Sequence, residues 1–236
     1  MSTPAGRPPV YLLHGLLGTS YGHFSAQIRA WDGPYRVVPV DLPGHGRCRL
    51  DAAPDYLDAA LAYVLAIVAR FGAGRLVAAS YLGGPLAVRV AAARPDLVHS
   101  LVLTGFAPGL DRDVFLALLA GFGPLVDADD DLVAEYDRLH GPRWRATLAA
   151  FTAHTERAYE TTALVRPDDL GALGVDTLLI NGTLKSVERA AATGTARYGP
   201  HVRGHVIPGA GHIASHDAPT QFNEAVAAFW RKEAGR

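Results

Sequence analysis

Cysteine is almost missing from this chain of 236 residues, and the single thiol, Cys48, cannot close an internal disulfide. Net charge is missing too, because 22 Lys and Arg stand against 23 Asp and Glu. No field of one sign is there to gather nucleic acid or an anionic membrane surface. Long hydrophobic runs are likewise absent, and no apolar segment of the length of a secretion signal or membrane span follows Met1 to Pro9. These absences predict a cytoplasmic protein with neither nucleic-acid nor membrane partners. What the chain has is 49% apolar residues, enough at this length for one sizeable core.

The apolar residues come in a regular alternation. Short runs bounded by glycines (Val10–Leu13, Tyr35–Val40, Leu76–Ser80, Leu101–Thr104, Thr177–Gly182 and His201–Ile207) read as buried strands. Segments of helical spacing lie between or after them: Phe24–Trp31, Tyr56–Phe71, Gly84–Ala93, Glu188–Tyr198 and Pro219–Lys232. This order predicts an α/β fold, a mostly parallel sheet with helices on both faces and ligand sites at the strand carboxyl ends. From Asp111 to Asp169 the strands stop and only helical patterns remain. The chain therefore divides into a first core part (1–108), a helical cap (109–170) and a second core part (171–236). Val114 to Leu119 with Phe122 is apolar on every side, which predicts a helix that roofs a pocket lined by Phe115, Leu119 and Phe122. The acidic run Asp127, Asp129, Asp130, Asp131 lacks the turn glycine and final carboxylate of an oxygen-ligand loop, and no metal site is expected. Arg143, Arg145, Arg157 and Arg166 read singly as surface arginines.

The chemistry centres on Val77-Ala78-Ala79-Ser80-Tyr81-Leu82-Gly83-Gly84, where a strand pattern turns into a helix pattern. It looks like a nucleophile elbow, which needs small residues two before and two after the apex because strand and helix nearly touch there. With Ser80 at the apex those positions are Ala78 and Leu82; with Tyr81 they are Ala79 and Gly83. The second frame fits sterically, so Tyr81 is expected at the nucleophile position.

Together with His14-Gly15, Asp41-Leu42-Pro43-Gly44-His45-Gly46, Asn181-Gly182 and Gly209-Ala210-Gly211-His212, this stretch resembles the α/β-hydrolase family over nearly the whole chain. Among small capped members it is most similar to those related to the menaquinone-pathway SHCHC synthase. The resemblance implies His212 as general base, an oxyanion hole from the backbone N–H groups of Leu16 and Leu82, a pocket bordered by His14 and Ser80, and a structural Asp41. It also implies an acid three residues past the strand-end glycine, and there the chain carries Lys185.

A triad with Tyr81 and Lys185 in place of serine and carboxylate disfavours ester hydrolysis, since even a neutral amide at the acid position costs roughly 10⁴ in turnover. The expectation is a lyase or cyclase without cofactor, acting on a small, largely apolar molecule, with Tyr81, His212 or Lys185 as the base. Acetate elimination from an O-acetylated tetronate, known in α/β-hydrolase-like enzymes of tetronate and spirotetronate biosynthesis, fits that logic. An inactive small-molecule-binding protein and an ester or thioester hydrolase are the alternatives. Ser80 at the apex, or a carboxylate bonded to the imidazole, would restore acyl chemistry.

Overall fold

A computed structural model describes residues 7–234; the first six residues, part of the stretch inspected for a leader, lie outside it. Six strands form one sheet: β1 (Pro9–Leu13), β2 (Arg36–Val40), β3 (Gly74–Ala79), β4 (Val98–Thr104), β5 (Asp176–Gly182) and β6 (Val202–Ile207). Their spatial order is β2-β1-β3-β4-β5-β6 and every neighbouring pair is parallel.

Alternate side chains feed two separate cores. Tyr11, Leu13, Leu76, Ala78, Leu101, Leu103 and Leu179 pack on one face with α2 (Tyr56–Phe71) and α3 (Ser80–Ala93). Val10, Leu12, Val77, Val102 and Ile180 pack on the other with α1 (Ser20–Trp31) and α10 (Pro219–Ala234). Burial on both faces is why these strands read as continuous apolar runs rather than as alternating ones.

Chain direction fixes the place of the site. The chain leaves β1 outward to β2, then crosses back to lay β3 on the other side of β1, so the order reverses between β1 and β3. In an open parallel sheet the loops at such a reversal diverge and leave a crevice at the strand carboxyl ends. The loop after β1 and the turn from β3 into α3 meet there.

Between β4 and β5 the described chain is helical: α4 (Arg112–Asp127), α5 (Asp130–His140), α6 (Trp144–Ala158) and α7 (Pro167–Ala172). The expectation that α4 is too apolar all round for an exposed helix is corrected. Phe115, Leu119 and Val126 are buried, while Val114, Leu118 and Leu125 are 50%, 59% and 65% exposed. The acidic run is structural: Asp127 pairs with Arg145 at 2.6 Å, and the Asp129 carboxylate caps α5 by accepting from the Leu132 N–H. No group of three or more metal-ligating side chains gathers among the described residues, and none of the described helices is long and apolar enough to cross a membrane. Two short helices complete the chain, α8 (Ser186–Thr193) after β5 and α9 (Ala214–Asp217) before α10.

Candidate active site

The turn from β3 into α3 is a strained one. Ala79 is still extended, and Ser80 takes φ +62°, a region that a non-glycine residue enters at a cost of about 1–3 kcal/mol. That strain lifts the Ser80 hydroxyl out of the strand and above the sheet edge. Its Oγ lies 3.0 Å from Nε2 of His212, and Nδ1 of the same ring lies 2.7 Å from Oε1 of Glu188. A serine hydroxyl donating to Nε2 and an Nδ1–H donating to a carboxylate impose one imidazole tautomer and one ring orientation. The Glu188 side chain is 6% exposed and the His212 side chain 34%, so the carboxylate is screened from water while the imidazole edge stays reachable. Glu188 Oε2 has no hydrogen-bond partner among the described residues, which leaves the carboxylate's charge directed at His212.

Asn181 holds the acid in place. From the end of β5 its Nδ2 donates to the carbonyls of Phe106 and Glu188, and its Oδ1 accepts from the Phe106 N–H. One buried amide thus ties the loop after β4 to the first turn of α8. Asp41 is structural as expected, accepting from the Ser20 N–H, the Ser20 hydroxyl and the Arg47 N–H.

Four sequence expectations are corrected at this point. Tyr81 is not at the apex: Ser80 is, and the close approach falls at Gly83, three residues on. A Cβ at Gly83 would lie 2.7 Å from the Leu13 carbonyl oxygen and 2.8 Å from that of His14. Leu82, which looked too large for the elbow, turns into the core beside Leu86. The Tyr81 ring lies nearly parallel to His212, 12° between planes with centroids 6.2 Å apart, and rests between Phe106 and Phe115 at 5.5 Å each. Burial above all, and then the Glu188 carboxylate, push its phenol well above the usual tyrosine range, which favours the protonated form.

Lys185 is also displaced from its expected role. It is exposed at the residue preceding α8, and Glu188 in the first turn of that helix occupies the acid position instead. With Ser80 as apex, the backbone N–H that follows the nucleophile belongs to Tyr81 rather than Leu82, while Leu16 keeps its place in the loop after β1. Finally, His14 is fully buried and both ring nitrogens are committed to the backbone: its Nε2 accepts from the Leu42 N–H at 2.9 Å, and its Nδ1–H donates to the Gly15 carbonyl at 2.7 Å.

The expected pocket residues separate. Phe115 lies against Tyr81 and Tyr159, extending the aromatic wall begun by Phe106 and Tyr81. Leu119 lines a groove of about 390 Å³ between α4 and α6. Phe122 packs against the cluster of Leu17, Val126 and Trp144, which joins α4 to the loop after β1. The four arginines of the inserted helices serve the scaffold: Arg143 donates to the Gly46 carbonyl, Arg145 pairs with Asp127, Arg157 donates to the Pro54 carbonyl and Arg166 pairs with Glu160.

Glu188 is the residue that the sequence reasoning missed. A glutamate in the first turn of a helix is so common a favourable placement that it carries no signal of its own. Its distance from the strand-end glycine, six residues rather than three, hid it further.

A nucleophile on a strained strand-to-helix turn, followed in chain order by the carboxylate and the imidazole, is the arrangement of the α/β hydrolases. The family described as the alpha/beta hydrolase family matches residues 10–225, and the chain belongs to it. The solved structure of NosK from Streptomyces actuosus is 63% identical, with 97% of this chain and 99% of that one covered and a TM-score of 0.94. Lipase LipV of Mycobacterium tuberculosis is 35% identical over 50% of this chain and 46% of its own length. Pimeloyl-[acyl-carrier protein] methyl ester esterase of Nitrosomonas europaea is 33% identical over 46% of this chain and 41% of its own. The chain thus spans about half the length of these two curated relatives.

Proposed function

We propose that this protein is a serine acyl-transfer enzyme acting on an ester or thioester of a small, largely apolar acid. Ser80 attacks the carbonyl carbon, His212 takes the hydroxyl proton, and Glu188 stabilises the imidazolium that results. The backbone N–H groups of Leu16 and Tyr81 receive the charge that develops on the carbonyl oxygen. Collapse of the tetrahedral intermediate expels the alcohol or thiol, protonated by His212, and leaves an acyl-Ser80 ester. A second attack, by water or by another hydroxyl or thiol that reaches the site, releases the acyl group. The observation that carries this reading is the continuous contact Ser80–His212–Glu188, 3.0 Å and then 2.7 Å. The aromatic wall of Tyr81, Phe106, Phe115 and Tyr159 supports an apolar acyl group, and the esterase and lipase relatives support ester chemistry.

Stopped-flow mixing with p-nitrophenyl butyrate tests this: a burst of nitrophenolate equal to the enzyme concentration marks the acyl-enzyme, and Ser80→Ala should abolish it. Lyase and cyclase reactions, among them elimination of acetate from an O-acetylated tetronate, follow from a triad with Tyr81 and Lys185 in place of serine and carboxylate, whereas Ser80 and Glu188 flank His212. Their signature would be a Ser80→Ala variant that still turns an O-acetyl tetronate into alkene and acetate, and that result would overturn the proposal.

A further inference from the structure

We propose that His140, carried on the last turn of α5 in the inserted helices, is a positioning residue for the oxyanion hole. The inference rests on the serine acyl-transfer reading above. Leu16 supplies one of the two donors proposed there, and the residue after it, Leu17, has φ +52°, a region that leucine rarely occupies unless something holds it. Two imidazoles hold it. The Leu17 N–H donates to Nε2 of His45 at 3.0 Å, and the Leu17 carbonyl accepts from Nε2–H of His140 at 2.9 Å. Two residues earlier, the Gly15 carbonyl accepts from Nδ1–H of His14 at 2.7 Å, and the Gly15 N–H donates to Nδ1 of His23 at 3.2 Å.

Peptide planarity turns these contacts into aim. The Gly15 carbonyl and the Leu16 N–H share one rigid trans unit and point opposite ways, so holding the carbonyl fixes the direction of the donor. His45 fixes the next unit, and His140 the one after. Of the four imidazoles, three come from the sheet's own loops or from α1; His140 alone comes from the helices inserted between β4 and β5. It is buried, and its other nitrogen is also committed, with Nδ1 accepting from the Gly46 N–H at 2.9 Å. Accepting on one side and donating to a carbonyl on the other is possible only for the neutral ring with hydrogen on Nε2. His140 is therefore a two-sided clip that sets the angle of the oxyanion loop according to where the inserted helices sit. Phe122 and Trp144, packed against Leu16 and Leu17, make the same junction apolar.

The test compares His140→Phe, which keeps a ring and loses both hydrogen bonds, with His140→Gln, whose amide can accept and donate. With p-nitrophenyl butyrate, His140→Phe should lower kcat about 30-fold with KM within threefold of wild type. The affinity of phenylboronic acid, which forms a tetrahedral adduct on the serine, should fall by a similar factor, and His140→Gln should recover most of both. Active-site titration with a fluorophosphonate corrects each rate for the folded fraction; should His140→Phe fail to fold, the Gln variant against wild type carries the boronate comparison, with a loss of under fivefold expected. Unchanged corrected kcat, a change in KM alone, or weakened substrate and boronate binding in equal measure would overturn the proposal. Ser80→Ala runs in parallel: if it keeps turnover, the acyl-transfer reading fails, whereas a dead Ser80→Ala beside an unaffected His140→Phe removes only this inference.

Discussion

The carboxylate of Glu188 stands 2.7 Å from Nδ1 of His212, on the far side of the ring from Ser80. In the proposed mechanism that pairing is central, because an imidazole that accepts the serine proton must become a cation, which an anion at this position stabilises. Replacing the anion by an isosteric amide, Glu188→Gln, should lower kcat for p-nitrophenyl butyrate by about 10³–10⁴ while the circular dichroism spectrum stays unchanged. Retention of more than a tenth of the activity would remove Glu188 from the mechanism.

Much of the fold can be read directly from the residues. Tyr56–Phe71 is helical over the whole expected span, and every expected strand is present to within three residues at either end, because glycines and prolines bound them. The site was legible only in part. His212 stands out in a glycine-rich loop after the last strand, but the apex was displaced by one residue, since the steric demand was sought at the second position after the nucleophile. In this elbow it falls at the third, Gly83, and the strained φ of Ser80 leaves no trace in residue type. Glu188 was hidden because long-range geometry, the approach of α8 to the loop after β6, makes it the partner of His212. Val114 and Leu118 misled in the opposite sense, being apolar and exposed.

Lys185, exposed ahead of α8, has no role in the proposed mechanism. Lys185→Ala should leave kcat and KM within twofold of wild type between pH 6 and 9. A shift of the pH profile by more than half a unit would mean that its ammonium reaches His212 after all.

Asn181 completes three buried hydrogen bonds at once. Asn181→Ala strands the Phe106 N–H and the carbonyls of Phe106 and Glu188, so a loss of about 2–4 kcal/mol in unfolding free energy is expected from urea titration. Acylation of Ser80 should slow as well, because the backbone of Glu188 is released. A loss under 0.5 kcal/mol would show that the amide is dispensable.

Protonation of the buried histidines links stability to pH. Burial holds His14 down to about 4 from an ordinary 6.5, and His23, by burial and neighbouring imidazoles, to about 3. Unfolded histidine binds its proton near 6.5 while the folded ring does not, so the unfolded state binds more protons between these limits. Their contribution is therefore complete above about pH 6.5 and is lost as pH falls toward 4 for His14, an effect of about 3 kcal/mol for that residue. Urea unfolding at pH 7 and pH 4.5 should show this drop, and His14→Asn should remove its share while that of His23 remains. Equal stability at the two pH values in the wild type would contradict the neutral, amide-accepting state of these rings.

Covalent labelling tests most directly whether Ser80 is the nucleophile. Intact mass after exposure to a fluorophosphonate should rise by one adduct, peptide mapping should place that adduct on Ser80, and Ser80→Ala should remain unmodified. An adduct on Tyr81, or an unlabelled wild-type protein that still turns over p-nitrophenyl butyrate, would contradict it.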